Sequence, residues 1–522
     1  MKLTVQRIRI LSLLLVIYYL ALAWIFNRAG FEHSERLFYA KKIMLLFENS
    51  EDTLLTLGTT FPTTSYLINI LFAPFGYLFA PIAGSIVLMM TLFFFVLKDI
   101  NNSELPFRTL FFSVVVLFFL HPQFVYAAIS GRNIAAIVLF TYLLFRSLFF
   151  YYNNQTTYYL SLASVFLGAL IFSEIKFLWL ILGFLPFVVL VSLEGIKTAK
   201  GESVAFQYYQ ALNNRSLRRK LVNRTVSLYF ILYLLPLVAI FLFRTLNQSH
   251  AGDPTYFLSS QYSNWRVTGV STIANIMDRG SGNNLNKQTQ IIFPIFTLFL
   301  APIFFSAILL FKGKLYKLLT LLTPLIFISV ALIDIQYYLT TEYYVIIPII
   351  AFVGLNFSST VKVNRFMTSV ILLAGTVLTL VGGFYYFSQT ADFEEQHLVK
   401  IVTEKKLWPE EKVVTEDKIL AEYITSIKTE DRPLLIDDAV AYGIIAHLPN
   451  LNHLVMPLQK NFITVIENPA LSVQYILIAK FNNLRHNFTA MNAYNMVQMK
   501  TRLNLKSNRV FETENWIVYS VR

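Results

Sequence analysis

The sequence contains no cysteine, which excludes disulfides, thiolate chemistry and cysteine-based metal sites. Charged residues are scarce, at 14% of the chain, too few for an ordinary soluble domain. A glycine-rich phosphate loop, an HExxH helix, a GxSxG turn and an internal repeat are all missing, so the motifs of nucleotide-driven, zinc-protease, serine-hydrolase and solenoid proteins are absent.

What is present is apolar. Of 522 residues 56% are hydrophobic, with 48 Phe and 29 Tyr, the composition of a chain that crosses a bilayer many times. The formal net charge of +13 has a simple reading, because the basic residues lie between apolar runs and follow the positive-inside pattern. No basic, aromatic-interleaved soluble domain accompanies them, so nucleic acid is not an expected partner. Lys2, Arg7 and Arg9 precede a long apolar run that lacks a small-residue cleavage site, the pattern of a retained anchor.

Apolar runs near residues 10–26, 77–97, 110–120 (continuing toward 126), 134–150, 160–172, 177–193, 226–243, 291–311, 318–333, 343–355 and 366–387 predict about eleven transmembrane helices, several shorter than the ~20 residues of an upright span. With that number the basic loops fall on one side: the N-terminus, Lys98 with Arg108, residues 194–224, Lys312 to Lys317, and Lys362 with Arg365. This side is assigned to the cytoplasm. The opposite, extracytoplasmic side then receives loop 27–76, the breaks at Ser130–Asn133 and Ser173–Lys176, and everything after Phe387. Two domains are expected: a membrane domain over 1–388 and a small extracytoplasmic α/β domain over 389–522, where helical patterns alternate with short β-rich runs at 433–436, 453–456, 474–478 and 516–520. Asp437 and Asp438 end the first of these runs, either as a ligand site at a strand's carboxyl end or, the favoured reading, as caps for the next helix.

The stretch Phe31 to Gly76 organises the rest. It is too polar to span, and keeping Glu32, His33, Glu35, Lys41 and Lys42 at a membrane surface is costly unless they face water or a polar ligand. Glu32, His33, Glu35, Arg132, Glu174, Lys176, Asp253, Asp334 and Glu342 all fall on the outer side, where they would converge on one polar cavity. Carboxylates there suit a general base, and Lys or Arg a lipid phosphate. The competing reading has each charge solvated at a helix end. His33 beside Glu32 and Glu35 raises metal binding, against which stands a simple solvated histidine.

Five segments resemble, in order and spacing, the GT-C class of membrane glycosyltransferases, among them the protein mannosyltransferases and the aminoarabinose transferases. GFEHSERLFYAKKIM is similar to their acidic first external loop and FPTTSYLINILFAPFG to the Pro-Pro segment after it. HPQFVYAAISGRNIAAIVLF is similar to the connection between spans three and four, LGALIFSEIKFLWLILG to the turn carrying a lysine, here Lys176, and TTEYYVIIPIIAF to the late Arg-Tyr-x-x-Pro span, with Tyr344 and Pro348. The chain departs from the pattern at Ser34, where an Asp usually stands, at Thr63 for the second Pro, at Asn133 for an acid, and at Glu342 for an Arg. The resemblance implies an α-helical polytopic, GT-C-like fold. It also implies an enzyme that moves a sugar from a polyprenyl-phosphate donor to a protein, lipid or glycan acceptor on the extracytoplasmic face of the plasma (inner) membrane. Glu35 or Glu32 would be the catalytic carboxylate, and Lys176, Arg132, Glu174, His33 and Tyr344 would bind substrate. No particular cofactor is implied, a divalent metal stays open, and a protein partner could dock through the C-terminal domain. The alternative is an inactive GT-C-like scaffold of an envelope complex, in which Glu32 and Glu35 face bulk water or a protein partner.

Overall fold

The computed structural model describes residues 3–48, 53–196, 204–269, 299–312, 315–334, 340–357, 359–360, 364–388, 390, 392–404, 413–427, 433–459, 461–491 and 507–521. Among these, five helices are long and apolar enough to cross a membrane: Val5–Arg28, Ala80–Ile100, Ile134–Asn154, Arg215–Ala251 and Arg365–Ser388. Two bent pairs raise the number to seven: Phe107–Leu120 with Pro122–Ile129, bent by 56°, and Ile175–Gly183 with Val188–Glu194, bent by 42°. The first bend falls at Pro122, whose ring cannot continue the preceding helix. Thr157–Ser173, Leu315–Leu325 and Thr341–Phe357 are shorter apolar helices. Part of the eighth expected span, residues 291–298, lies outside the described residues.

The basic stretch at 194–224, read from the sequence as a loop, is largely helical. Val204–Asn213 forms one helix, and Asn214 then caps a 37-residue helix, Arg215–Ala251, its Oδ1 accepting from the Ser216 and Leu217 amides. Arg215, Arg218, Arg219, Lys220 and Arg224 therefore ride on a helix that continues into the membrane-crossing part. Lys and Arg are good helix formers, so charge density alone does not mark a loop.

The C-terminal part carries a five-stranded mixed sheet in the order Leu454–Val455, Leu434–Leu435, Tyr475–Ala479, Trp516–Val521 and Ser507–Glu512. The first three strands are parallel and the last two antiparallel. Four of these lie in the expected β-rich runs. The Asp437–Asp438 pair does not cap the following helix, Tyr442–His447, whose N-cap is Ala441 with no side-chain bond. Asp437 instead closes its own turn by accepting from the Ala439 amide, and holds Thr489 and the Ala490 amide with its other oxygen. Three residues separate the pair from the helix, too many for a cap.

The helix Ser34–Glu48 is the joint between the two parts. Every residue from Ser34 to Leu45 is buried. Leu37, Phe38 and Tyr39 pack with Tyr66, Trp265 and Tyr442, while Met44 and Leu45 enter the core of the sheet beside Leu420, Ile444 and Trp516. The charges expected to face water are therefore enclosed. Lys41 donates to Asp438 at 2.7 Å. Burial, reinforced by the Lys41 charge, pushes the Lys42 ammonium down to about 7. Lys42 thus favours the neutral form when folded while the unfolded chain protonates near 10.4. The unfolded state binds the extra proton between those values, so stability rises with pH across that window. Lys42→Met is expected to melt higher than the parent at pH 7, with the gap closing toward pH 10. Thermal melts at both pH values check this, and a gap independent of pH would refute it.

Candidate functional site

The site forms where helix ends and breaks meet. Gly131, at φ +71°, turns the chain between Pro122–Ile129 and Ile134–Asn154, a conformation that glycine adopts without a Cβ penalty. Arg132 follows, 4% exposed. Its Nε donates to Glu35 Oε2 at 3.2 Å and its Nη2 to Glu342 Oε1 at 2.8 Å. Nη1 reaches the Tyr126 hydroxyl at 3.1 Å and Glu395 Oε1 at 3.4 Å, with Asp392 at 3.9 Å. The guanidinium also lies over the rings of Tyr126 and Trp265.

Glu35 stands in the first turn of Ser34–Glu48. Its Oε1 accepts from the Tyr39 hydroxyl and from the Asn133 amide, each at 3.0 Å. Asn133 is the N-cap of Ile134–Asn154, so the carboxylate sits at a helix N-terminus, where free amides and the helix dipole favour negative charge. Glu174 ends Thr157–Ser173 and pairs with Arg266, which donates on its other nitrogen to Glu342 Oε2 at 2.8 Å. Arg266 is positioned by Asn264, whose Oδ1 accepts its backbone amide. The result is a buried relay, Glu35–Arg132–Glu342–Arg266–Glu174, drawn from five separate parts of the chain.

The C-terminal part closes one side. Asp392 caps Phe393–Thr403 by accepting from the amides of Glu394 and Glu395. Glu394 meets His33 Nε2 at 2.6 Å and accepts from the Ser34 amide at 2.9 Å. The Glu35 amide donates to His33 Nδ1, so the ring proton belongs on Nε2, facing Glu394. Burial works to raise the Glu394 carboxyl, but His33 and the bonds from Ser34 outweigh it and hold it down at about 2. Next to it, burial and then the Asp392 charge push Glu395 up to about 8, with Arg132 opposing. The two neighbouring carboxyls are thus driven in opposite directions, Glu395 toward its protonated form and Glu394 toward its ionised one.

Of the residues singled out in the sequence, Glu35, Arg132, Glu174 and Glu342 come together, and His33 adjoins them as a buried side chain against Glu394 rather than a solvated one. Lys176 lies beside them, its Nζ 5.9 Å from the Tyr343 ring centroid. Glu32 points elsewhere, to His447 at 3.0 Å and to the Thr415 hydroxyl. Tyr344 is packed against Tyr386 and donates to the Leu300 carbonyl. Asp253 closes a turn onto Thr255, and the Asp334 side chain lies outside the described residues. Arg266, Asp392, Glu394 and Glu395 were not anticipated. The D-x-x-E spacing of Asp392 and Glu395 is a helix-start signature that does mark their position, whereas Arg266 sits in a polar segment with no periodicity. Among the described residues no group of three or more His, Asp or Glu side chains is arranged to hold a metal ion; the carboxylates are turned toward arginines.

No protein-family model matches the chain, and no curated protein matches it by sequence. Solved structures do. ArnT from Cupriavidus metallidurans bound to undecaprenyl phosphate superposes with a TM-score of 0.52 at 12% identity, covering 97% of each chain. Its apo form gives 0.49 at the same identity and coverage. The oligosaccharyltransferase of Archaeoglobus fulgidus gives 0.39 at 12% identity, over 90% of this chain and 69% of that one. The membrane helices and the C-terminal sheet together make the fold of the ArnT glycosyltransferase, the GT-C-like fold that the five sequence segments imply.

Proposed function

We propose that the protein is a membrane glycosyltransferase that moves a sugar from a polyprenyl-phosphate donor to an acceptor on the extracytoplasmic face. The observation that carries this reading is the buried carboxylate–arginine relay at the helix ends. The ArnT fold, seen in that protein with undecaprenyl phosphate bound, adds support at the level of analogy. The acceptor hydroxyl oxygen attacks the anomeric carbon, the bond to the lipid phosphate breaks, its electron pair leaves with the phosphate, and the hydroxyl proton passes to a carboxylate.

Glu35 fits that last role. A carboxylate offers about four acceptor positions, and three on Glu35 are taken by Tyr39, Asn133 and Arg132. The remaining one, on Oε2, has no hydrogen-bond partner among the described residues and is the position proposed for the acceptor hydroxyl. Arg132, also assigned to the phosphate from sequence, is engaged by carboxylates and holds Glu35 in place. Arg266, whose side chain is 20% exposed against 3% for Arg132, and Lys176 are better placed to meet an incoming phosphate. The N-terminus is then cytoplasmic, residues 1–388 form the membrane domain, and 389–522 cover the site from outside. The scaffold alternative needs both Glu32 and Glu35 to face water or a partner; Glu32 is partly exposed, whereas Glu35 is fully buried.

Purified protein, given radiolabelled polyprenyl-phosphate sugars and an envelope extract as acceptor source, is expected to transfer or hydrolyse at least one sugar. Lys176→Ala is expected to raise the donor KM about tenfold, the loss of one charge-assisted phosphate contact. Absence of turnover across the donor series would overturn the proposal.

A further inference from the structure

A cavity of about 280 Å³ lies away from the relay, between the first membrane helix, the start of Ala80–Ile100 and the C-terminal part. One wall is apolar: Leu20, Trp24 and Phe79 line it and are 38%, 55% and 38% exposed. They stand on or next to membrane-crossing helices, so their open faces meet lipid, and Trp24 has the chemistry of the headgroup level. The opposite wall is polar, formed by Arg36 from the buried loop helix and by Lys418 and His447 from the C-terminal part, with Glu32 among them.

Arg36 is the telling residue. It is 5% exposed, and its Nε donates to the Leu78 carbonyl at 3.2 Å. Among the described residues its two terminal nitrogens have no hydrogen-bond acceptor, and no carboxylate pairs with it within 4.0 Å. Glu32 lies near enough to be felt electrostatically, but its carboxylate is held by His447 and Thr415. Those interactions, against a burial that works to raise it, keep Glu32 below the usual carboxylate range. With no partner among the described residues, the terminal donors of Arg36 open on the cavity, and the planar fork of the guanidinium matches the oxygens of a phosphate. Lys418 adds a second cation at the rim, paired among the described residues with the exposed Glu422 at 3.7 Å.

We propose that this cavity binds the phosphate headgroup of an anionic membrane lipid. The phosphate meets the Arg36 fork and Lys418, and the acyl chains run out along Leu20, Trp24 and Phe79. The apolar wall selects a lipid over a free anion. Since Arg36 comes from the loop helix and Lys418 from the C-terminal part, the lipid bridges the two and fastens one to the other. This site is independent of the transfer reaction and of the Glu35 relay.

The test is native mass spectrometry of the full-length protein in detergent, titrated with phosphatidylglycerol, with inorganic phosphate as a separate competitor. The parent protein is expected to retain one phosphatidylglycerol through delipidation. Arg36→Gln is expected to weaken that binding at least about tenfold, and Lys418→Gln about threefold, as a bidentate and a rim contact respectively. Trp24→Ala combined with Phe79→Ala, which changes only lipid-exposed side chains, is expected to weaken it too and keeps the test alive if Arg36→Gln does not fold. Parent-like retention by Arg36→Gln, or by the Trp24/Phe79 variant in its place, overturns the proposal. So does displacement of the lipid by equimolar inorganic phosphate, which would make the site one for a soluble anion.

Discussion

Arg132→Leu is expected to yield no monodisperse folded protein at neutral pH. The substitution keeps the apolar stem but strands Glu35 as a buried anion and leaves Glu342 with Arg266 alone, beside Glu395 and Asp392. Breaking a single buried pair by removing one partner costs roughly 3–5 kcal/mol; here one guanidinium serves several carboxylates, and the whole stability of a domain is of order 5–15 kcal/mol. Arg132→Lys should recover little, because one ammonium cannot reproduce contacts made separately by Nε, Nη1 and Nη2. Adding Glu35→Gln to Arg132→Leu should restore part of the loss by removing the stranded charge. Size-exclusion profiles and thermal melts in one detergent read all three. An Arg132→Leu protein that melts with the parent would mean that the carboxylates hold protons and the relay is not what binds these helix ends together.

Glu35→Gln is expected to lower kcat by about 10²–10⁴, the range for loss of a positioned proton acceptor, with the donor KM nearly unchanged. Gln keeps the shape and one carbonyl oxygen for Tyr39 and the Asn133 amide, but turns an N–H₂ group toward the Arg132 Nε–H. One unfavourable donor–donor contact costs about 1–3 kcal/mol of stability, small enough for the variant to be isolated and compared at equal folded fraction. Glu32→Gln is the matched control, since Glu32 faces His447 and the lipid-side cavity rather than the relay. It should leave kcat within about threefold, the scale of a partly exposed hydrogen bond. Collapse of turnover in Glu32→Gln with Glu35→Gln active would reverse the assignment of the two carboxylates.

How much of this was readable in advance depends on whether the signal was local. Long apolar runs such as Ala80–Ile100 declare themselves because a bilayer demands length and lack of charge together. The breaks at Gly131 and Glu174 were visible as polar punctuation between such runs, and Glu35, Arg132 and Glu342 as ionisable groups at their edges, where charge is costly without a purpose. Four of the strands fall in short apolar runs. The fifth, Ser507–Glu512, lies at the sheet edge and carries Ser, Asn, Arg and Glu, so no apolar alternation announces it. Pairings are the part that no local pattern holds. Nothing near His33 says that it is buried against Glu394, and nothing near Arg266 says that it joins Glu174 to Glu342. The solvated reading of His33 failed because the group that covers it comes from the other end of the chain.

That separation has a consequence for how the protein is made. Lys41 and Asp438 are 397 residues apart. At a synthesis rate of about 5–20 residues per second, roughly 20–80 s pass between the ribosome's completing the loop helix and its completing the residues that cover it. Through that interval Lys41 lacks its partner Asp438, and the helix that becomes the joint of the finished molecule waits, half-made, at the membrane surface. Maturation therefore ends with a docking event rather than with the insertion of the last span. A chain stopped before Asp438 carries its full set of membrane helices and still presents a charged, unsatisfied helix to whatever proteolysis patrols that surface.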